Sequence, residues 1–192
     1  VQTYSPSVLS TRILPRHAVI TAALVVGFAL LTAAAAQVRV PLPFTPVPVT
    51  GQTFAVLLAG AALGSRAGAA SQALYILLGL GGLPFFQGGN GGWAYATGPT
   101  LGYLIGFVVA AAAIGYLAER QQDRTIATAL PAFLAGTVVI YLFGVTWLMV
   151  ALQTDLADAL VKGFVPFVVG DLLKVVLAGT LLPAAWKLAG ER

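Results

Sequence analysis

Two charged side chains, Asp171 and Lys174, lie inside an otherwise apolar stretch running from Phe164 to Leu188. An ionisable group at mid-membrane costs about 2.5 to 3.5 kcal/mol on insertion scales, so a pair of them calls for a reason. At i and i+3 they share one helix face. Counted from Phe164 at the helical rise, Asp171 lies about 10 Å deep, in the outer half of a membrane. Such a pair can neutralise itself and fix helix packing, relay a proton, or form the polar floor of an outward-facing cavity. The last reading is favoured, and no other acidic residue within a predicted span supports a relay.

Other constellations offer less chemistry. The Gly88-Gly89-Asn90-Gly91-Gly92 run has no Gly-Lys-Ser/Thr after it, which argues against a phosphate loop. It can still bring backbone close to a ligand. The aromatics around it, Phe85, Phe86, Trp93 and Tyr95, fit an interfacial belt and ligand contact equally well. Asp155 and Asp158 are also i and i+3, but a short solvated helix explains them and no catalysis or metal is assigned to them. Cysteine is absent and His17 is the single histidine, so thiolate metal sites and cysteine nucleophiles are excluded. No cofactor is expected. With no Walker motif, any ATP hydrolysis belongs to another chain, and the chain itself reads as no enzyme.

The elements that must position these residues follow from composition. Of 192 residues, 59% are hydrophobic and only 8% charged, against about 25% charged in a soluble domain. The expected solvent is therefore a lipid bilayer. Six apolar stretches can be drawn: Ala18 to Ala36, Thr50 to Gly64, Ala67 to Leu83, Thr100 to Leu117, Ile126 to Leu152 and Phe164 to Leu188. They lack the alternation of barrel strands, so the fold class is all-α, a single membrane domain over residues 1–192 built as a six-helix bundle. Arg12 and Arg16 before the first run resemble a signal peptide, but the run is long enough to span and others follow it.

Basic residues orient the bundle. With the N-terminus inside, Arg12, Arg16, Arg66, Arg120, Arg124, Lys187 and Arg192 are cytoplasmic, whereas Arg39 and Lys162 face outward. Both termini are then cytoplasmic, in the cytoplasmic membrane. The formal charge of +4 reflects this topology, and no nucleic-acid partner is expected. The second stretch is short and the third is broken by Gly79, Gly81 and Gly82, as helices bordering a binding cavity often are. The proline-rich loop over residues 37–49 and the glycine-rich loop over residues 84–99 are expected to form an outer lid. Small residues four apart, at Ala18/Ala22, Ala29/Ala33 and Gly102/Gly106, allow close helix approach. Ala18 and Ala22 could serve internal packing or a partner.

The ordered series Pro46-Val47-Pro48-Val49-Thr50-Gly51-Gln52, Gly81-Gly82-Leu83-Pro84-Phe85-Phe86, Gly88-Gly89-Asn90-Gly91-Gly92, Gly98-Pro99-Thr100-Leu101-Gly102-Tyr103 and Gly170-Asp171-Leu172-Leu173-Lys174 resembles the BioY family. That family comprises the biotin-binding S components of energy-coupling factor (ECF) transporters. The resemblance implies a six-helix subunit that captures biotin from outside and is energised by a membrane coupling protein with two cytoplasmic ABC ATPases. Asn90, Asp171 and Lys174 match positions expected to contact biotin. Leu101 departs from the pattern, which often carries a second glycine there.

The residues suit that ligand. The ureido ring of biotin has two N–H donors and a strong carbonyl acceptor, which Asp171, Asn90 and Lys174 can complement. Trp93 and Tyr103 are candidate walls for the fused rings, Arg39 is the candidate partner of the valerate carboxylate, and Gln52 lies close enough to reach the cavity. The coupling protein is expected to grip the first helix through Ala18 and Ala22 and to reorient the whole subunit. An ion- or proton-coupled carrier using Asp171 and Lys174, or a non-transporting scaffold, are the readings from other classes.

Overall fold

The computed structural model describes residues 8–14 and 17–190; Arg16 and Arg192, both expected to be cytoplasmic, lie outside the described residues. A short helix α1 (Leu9–Ile13) precedes α2 (Ala18–Gln37). Two two-residue strands, β1 (Arg39–Val40) and β2 (Val49–Thr50), then bracket the proline-rich loop. They pair antiparallel with Arg39 opposite Thr50 and Val40 opposite Val49, a small departure from an all-α chain. Four prolines between the strands remove N–H donors and exclude helix there, so the chain doubles back as a ribbon.

The helices α3 (Gln52–Leu63) and α4 (Ser65–Leu80) are joined by Gly64 alone. At φ 86° this residue adopts a conformation that a side chain would strain. After a 3₁₀ turn at Gln87–Gly89 and the one-turn α5 (Trp93–Ala96) come α6 (Leu101–Ala118) and α7 (Ile126–Leu152). The side chain of Thr125 caps α7 by accepting from Thr128 N, and Gln153 ends it in the left-handed conformation. Helix α8 (Leu156–Gly163) has Asp155 as its cap, and Lys162 lies 2.7 Å from Asp158 one turn away. A second hydrogen bond, from Thr154 Oγ1 at 2.6 Å, reaches the same Asp158 oxygen. The sixth apolar stretch does not begin as helix at Phe164: a 3₁₀ turn containing Pro166 intervenes, and α9 covers Val168–Leu188.

Among the described residues, four helical segments are long and apolar enough to cross a membrane: Ala18–Gln37, Leu101–Ala118, Ile126–Leu152 and Leu156–Leu188. The α3 and α4 helices are shorter, at 12 and 16 residues. Both pack on α6, which also makes the broadest contact with α7; α9 closes the bundle against α7 and α3.

Glycine makes these approaches possible. A side chain at Gly60 would meet Ala111 O at 2.6 Å, one at Gly68 would meet Gly60 Cα at 2.9 Å, and one at Gly115 would strike the Gly64–Ser65 backbone. Of the small-residue pairs, Ala29/Ala33 is buried against the bundle, and Gly102 and Gly106 lie against Phe143 and Ile140 of α7. Ala18 and Ala22 are exposed, and no residue of α2 before Ala29 is buried.

Both long loops lie at one end of the bundle, called the loop end below. At the opposite end, Val8 is buried beside Gly64, and Arg12 donates to Ala189 O at 3.0 Å.

Candidate functional site

A cavity with about 590 Å³ of atom-free space, counted with its open mouth, lies at the loop end among α3, α4, α6, α7 and α9. Its wall is mostly apolar and aromatic, including Val47, Phe86, Leu104, Phe107, Ile140 and Phe167. The ring of Phe86 is 1% exposed, although it sits in the glycine-rich loop. It stands edge-on to Tyr75 at 5.7 Å and stacks on Tyr95 at 5.5 Å, with Gly79 leaving room for its tip. The glycine-rich loop is thus anchored by an aromatic plug.

Asp171 sits in the first turn of α9, where the helix dipole favours an anion. The residue is 5% exposed. One oxygen accepts from Thr53 Oγ1 at 3.0 Å and from Lys174 Nζ at 2.7 Å; the other accepts from the Tyr141 hydroxyl. Lys174 Nζ donates again to Thr53 Oγ1 at 2.9 Å and to the backbone carbonyl of Thr50 at 2.6 Å. The pair therefore ties α9 to α7, to α3 and to strand β2. A charge pair taken out of water needs such extra hydrogen bonds to offset its desolvation.

Gln52 is buried beside this cluster, donating to the Tyr75 hydroxyl at 2.7 Å and accepting from Thr50 Oγ1 at 3.0 Å. Tyr103 lines the cavity and donates to Gly163 O at 2.6 Å, its ring filling the space that Gly144 leaves open.

Of the residues expected from sequence, Asp171, Lys174, Gln52 and Tyr103 lie together in this wall, and Asn90, Trp93 and Arg39 do not. Asn90 is turned back by the positive φ of Gly88 and Gly89, and its amide donates to Gln87 O at 2.7 Å. Trp93 opens α5 and is 69% exposed, so its indole is no wall of the cavity. Arg39 is exposed on β1 and donates to Gln87 Oε1 at 3.1 Å, so it reaches the cavity only through Gln87.

Sequence reasoning missed Tyr141, Thr53, Tyr75, Gln87 and Thr100, all of which line the cavity. The available signal was slight: Thr53 follows Gln52 in the first turn of α3, and Tyr141 is a polar-tipped ring amid an apolar 27-residue helix.

The BioY family's sequence pattern matches residues 9–191, almost the whole chain. The chain belongs to the BioY family. Within it, the biotin transporter BioY of Thermotoga maritima is 41% identical over 153 residues, covering 80% of this chain and 89% of that protein. The biotin transporter BioY of Rhizobium etli is 38% identical over 149 residues, 74% of this chain and 79% of its own. The probable biotin transporter BioY of Lysinibacillus sphaericus is 38% identical over 180 residues, 91% of this chain and 90% of its own. This BioY-family fold also superimposes on the crystal structure of the S component for biotin from an ECF-type ABC transporter. The TM-score is 0.81 at 26% identity, over 91% of this chain and 94% of the other. With four apolar helical spans in such a family, the chain is a multi-pass membrane protein.

Proposed function

We propose that this chain captures biotin at the loop end and delivers it across the cytoplasmic membrane as the substrate-binding S component of an ECF-type ABC transporter. The observation that carries the reading is the aromatic cavity built around the Asp171–Lys174 cluster in a chain of this family. The fused rings fit the apolar and aromatic wall, and the ureido group matches the carboxylate, ammonium and hydroxyl groups along α9, α3 and α7. Asp171, Lys174, Gln52 and Tyr103 are the contacts we assign to the ligand. Asn90 shapes the loop that carries the Phe86 plug.

In this reading α3 and α4 are the two short spans of a six-helix bundle, and the loop end faces outward. Both termini are then cytoplasmic, in keeping with the placement of the basic residues. The chain performs no covalent chemistry: ATP is hydrolysed by two partner ATPases, coupled through a membrane protein that grips the unpartnered first half of α2. A side chain at Gly27 would meet nothing within 4 Å, and Ala18 and Ala22 are open. Ala22→Trp is expected to abolish uptake with the partner subunits present and to spare biotin binding by the isolated chain. Unchanged uptake would refute that interface.

The deciding experiment is calorimetric titration of the detergent-solubilised protein with biotin, with thiamine as control and Asp171→Ala as variant. Saturable binding of biotin alone, lost in the variant, is the expected result. A folded protein that ignores biotin would overturn the reading.

A further inference from the structure

The tip of the glycine-rich loop, residues 85–90, carries the Phe86 plug and is hydrogen-bonded largely to its own connection between α4 and α6. Phe86 N donates to Asn90 O at 2.9 Å, the Asn90 amide donates to Gln87 O, and Gly92 N donates back to Gly79 O of α4 at 2.7 Å. The ties to the rest of the bundle come from the end of α2. Gln37, the last residue of α2, turns its carboxamide onto the tip: the oxygen accepts from Gly89 N at 2.9 Å, and the amino group donates to Phe86 O at 3.2 Å, with Phe85 O at 3.5 Å and Ala33 O of its own helix at 3.0 Å. Two residues on, the Arg39 guanidinium rests on Gly88, where a side chain would meet it at 2.5 Å, and donates to Gln87. Among the described residues, no other polar side chain from outside that connection is hydrogen-bonded to the tip.

Gln37 grips both arms of a tight loop at once, a carbonyl before the turn and an N–H after it. A carboxamide, with a donor on one atom and an acceptor on the other, is the side chain that such a grip requires. Its anchor is firm. In the outer half of α2 the Thr32 hydroxyl donates to Gln72 Oε1 of α4 at 3.2 Å in a buried setting, and Gly51 N donates to Ala35 O and Val38 O, so the foot of the proline-rich ribbon is fixed to the same last turn. Gln37 itself is exposed and lies outside the cavity wall, whereas Phe86, whose carbonyl it holds, is buried within that wall. Its bonds are therefore the same for an empty and a filled cavity. A bond that stabilises the closed loop equally in both states changes the speed of exchange and leaves the affinity alone.

We infer that Gln37 is a positioning residue that latches the glycine-rich loop to the end of α2, and so sets how fast the ligand enters and leaves without setting how tightly it binds. This rests on the biotin reading of the cavity. Exchange lifts the tip and draws Phe86 out of the wall, and each lift breaks the Gln37 bonds. The hold on the loop thus belongs to the helix whose inner half is unpartnered, not to a group that touches the ligand.

The test measures exchange and affinity separately on the solubilised full chain: release of radiolabelled biotin into an excess of unlabelled biotin, and Kd by calorimetry. Gln37→Met keeps the length of the side chain and removes both hydrogen-bonding groups. It is expected to speed release by about tenfold, the value of one or two hydrogen bonds, and to leave Kd within about threefold, so that association quickens in proportion. Gln37→Asn keeps both groups on an arm one methylene shorter and is expected to do the same; it decides by that criterion if Gln37→Met does not hold its fold. Release at the unmodified rate, faster release matched by an equal loss of affinity, or loss of the fold in both variants would overturn the latch while leaving the biotin reading intact. An unmodified protein that binds no biotin would overturn both.

Discussion

Helix α9 has a buried aspartate near each end, and the two are built differently. At the loop end Asp171, on the helix itself, is held by Lys174, Thr53 and Tyr141 beside an open cavity. At the opposite end Asp123, in the connection between α6 and α7, is 2% exposed and accepts from Trp186 Nε1 of α9 at 2.7 Å. Arg124 lies over the Trp186 ring at 3.3 Å, with its Nε 3.5 Å from Asp123. Each cluster has a carboxylate, a cation and an aromatic donor. Only the first faces space that a solute can enter; the second is filled by the indole. A buried charge thus marks a candidate site only when the chain leaves room next to it.

The largest effect expected from breaking this contrast is at Lys174. Lys174→Met strips Asp171 of its cation and is expected to weaken biotin by about a hundredfold or more, since a charged partner is lost from a buried cluster. Calorimetric titration reads this directly, and near-normal affinity would mean that the pair serves packing alone. Tyr141→Phe is the intermediate case. It removes one buried donor to Asp171 and keeps the ring edge-on to Phe164 at 4.8 Å, so a loss of about tenfold in affinity is expected, with a melting temperature lowered by a few degrees.

The smallest effect is at Asp123. Burial there outweighs the Trp186 and Arg124 contacts and raises the carboxyl above its ordinary range. Its contribution to stability is therefore full below the unfolded carboxylate range and falls as pH rises through the folded value. Asp123→Asn, which keeps an acceptor for the indole, is expected to raise the melting temperature by no more than a few degrees near neutrality. That gain should vanish in acid, with biotin affinity unchanged throughout. A gain that grows as the pH falls would reverse the assignment.

What could be read in advance follows from how local each signal is. Asp171 and Lys174 stand out because charges are rare in an apolar run, and their spacing places them on one helix face without knowledge of the fold. The long helices were equally legible: α7 runs from Ile126 to Leu152, as the apolar stretch does. Tyr141, Tyr75 and Thr53 were not, because a tyrosine or threonine in a membrane helix is ordinary until another helix supplies its partner. The loops show the other limit. The family resemblance implied Asn90 and the ligand's fused rings suggested Trp93, but the left-handed turns at Gly88 and Gly89 fold Asn90 onto Gln87, and Trp93 is left outside. The buried aromatic of that loop is Phe86, which sequence could not separate from its neighbours.

The glycine contacts joining α3, α4 and α6 have a mechanical consequence. Where Gly60, Gly68 and Gly115 rest on neighbouring main chain, no layer of side chains remains to slide or repack. Those three helices have the stiffness of a single plate. Pulling α3, α4 and α6 apart would open gaps that no side chain is there to fill, so moving them together costs less than separating them.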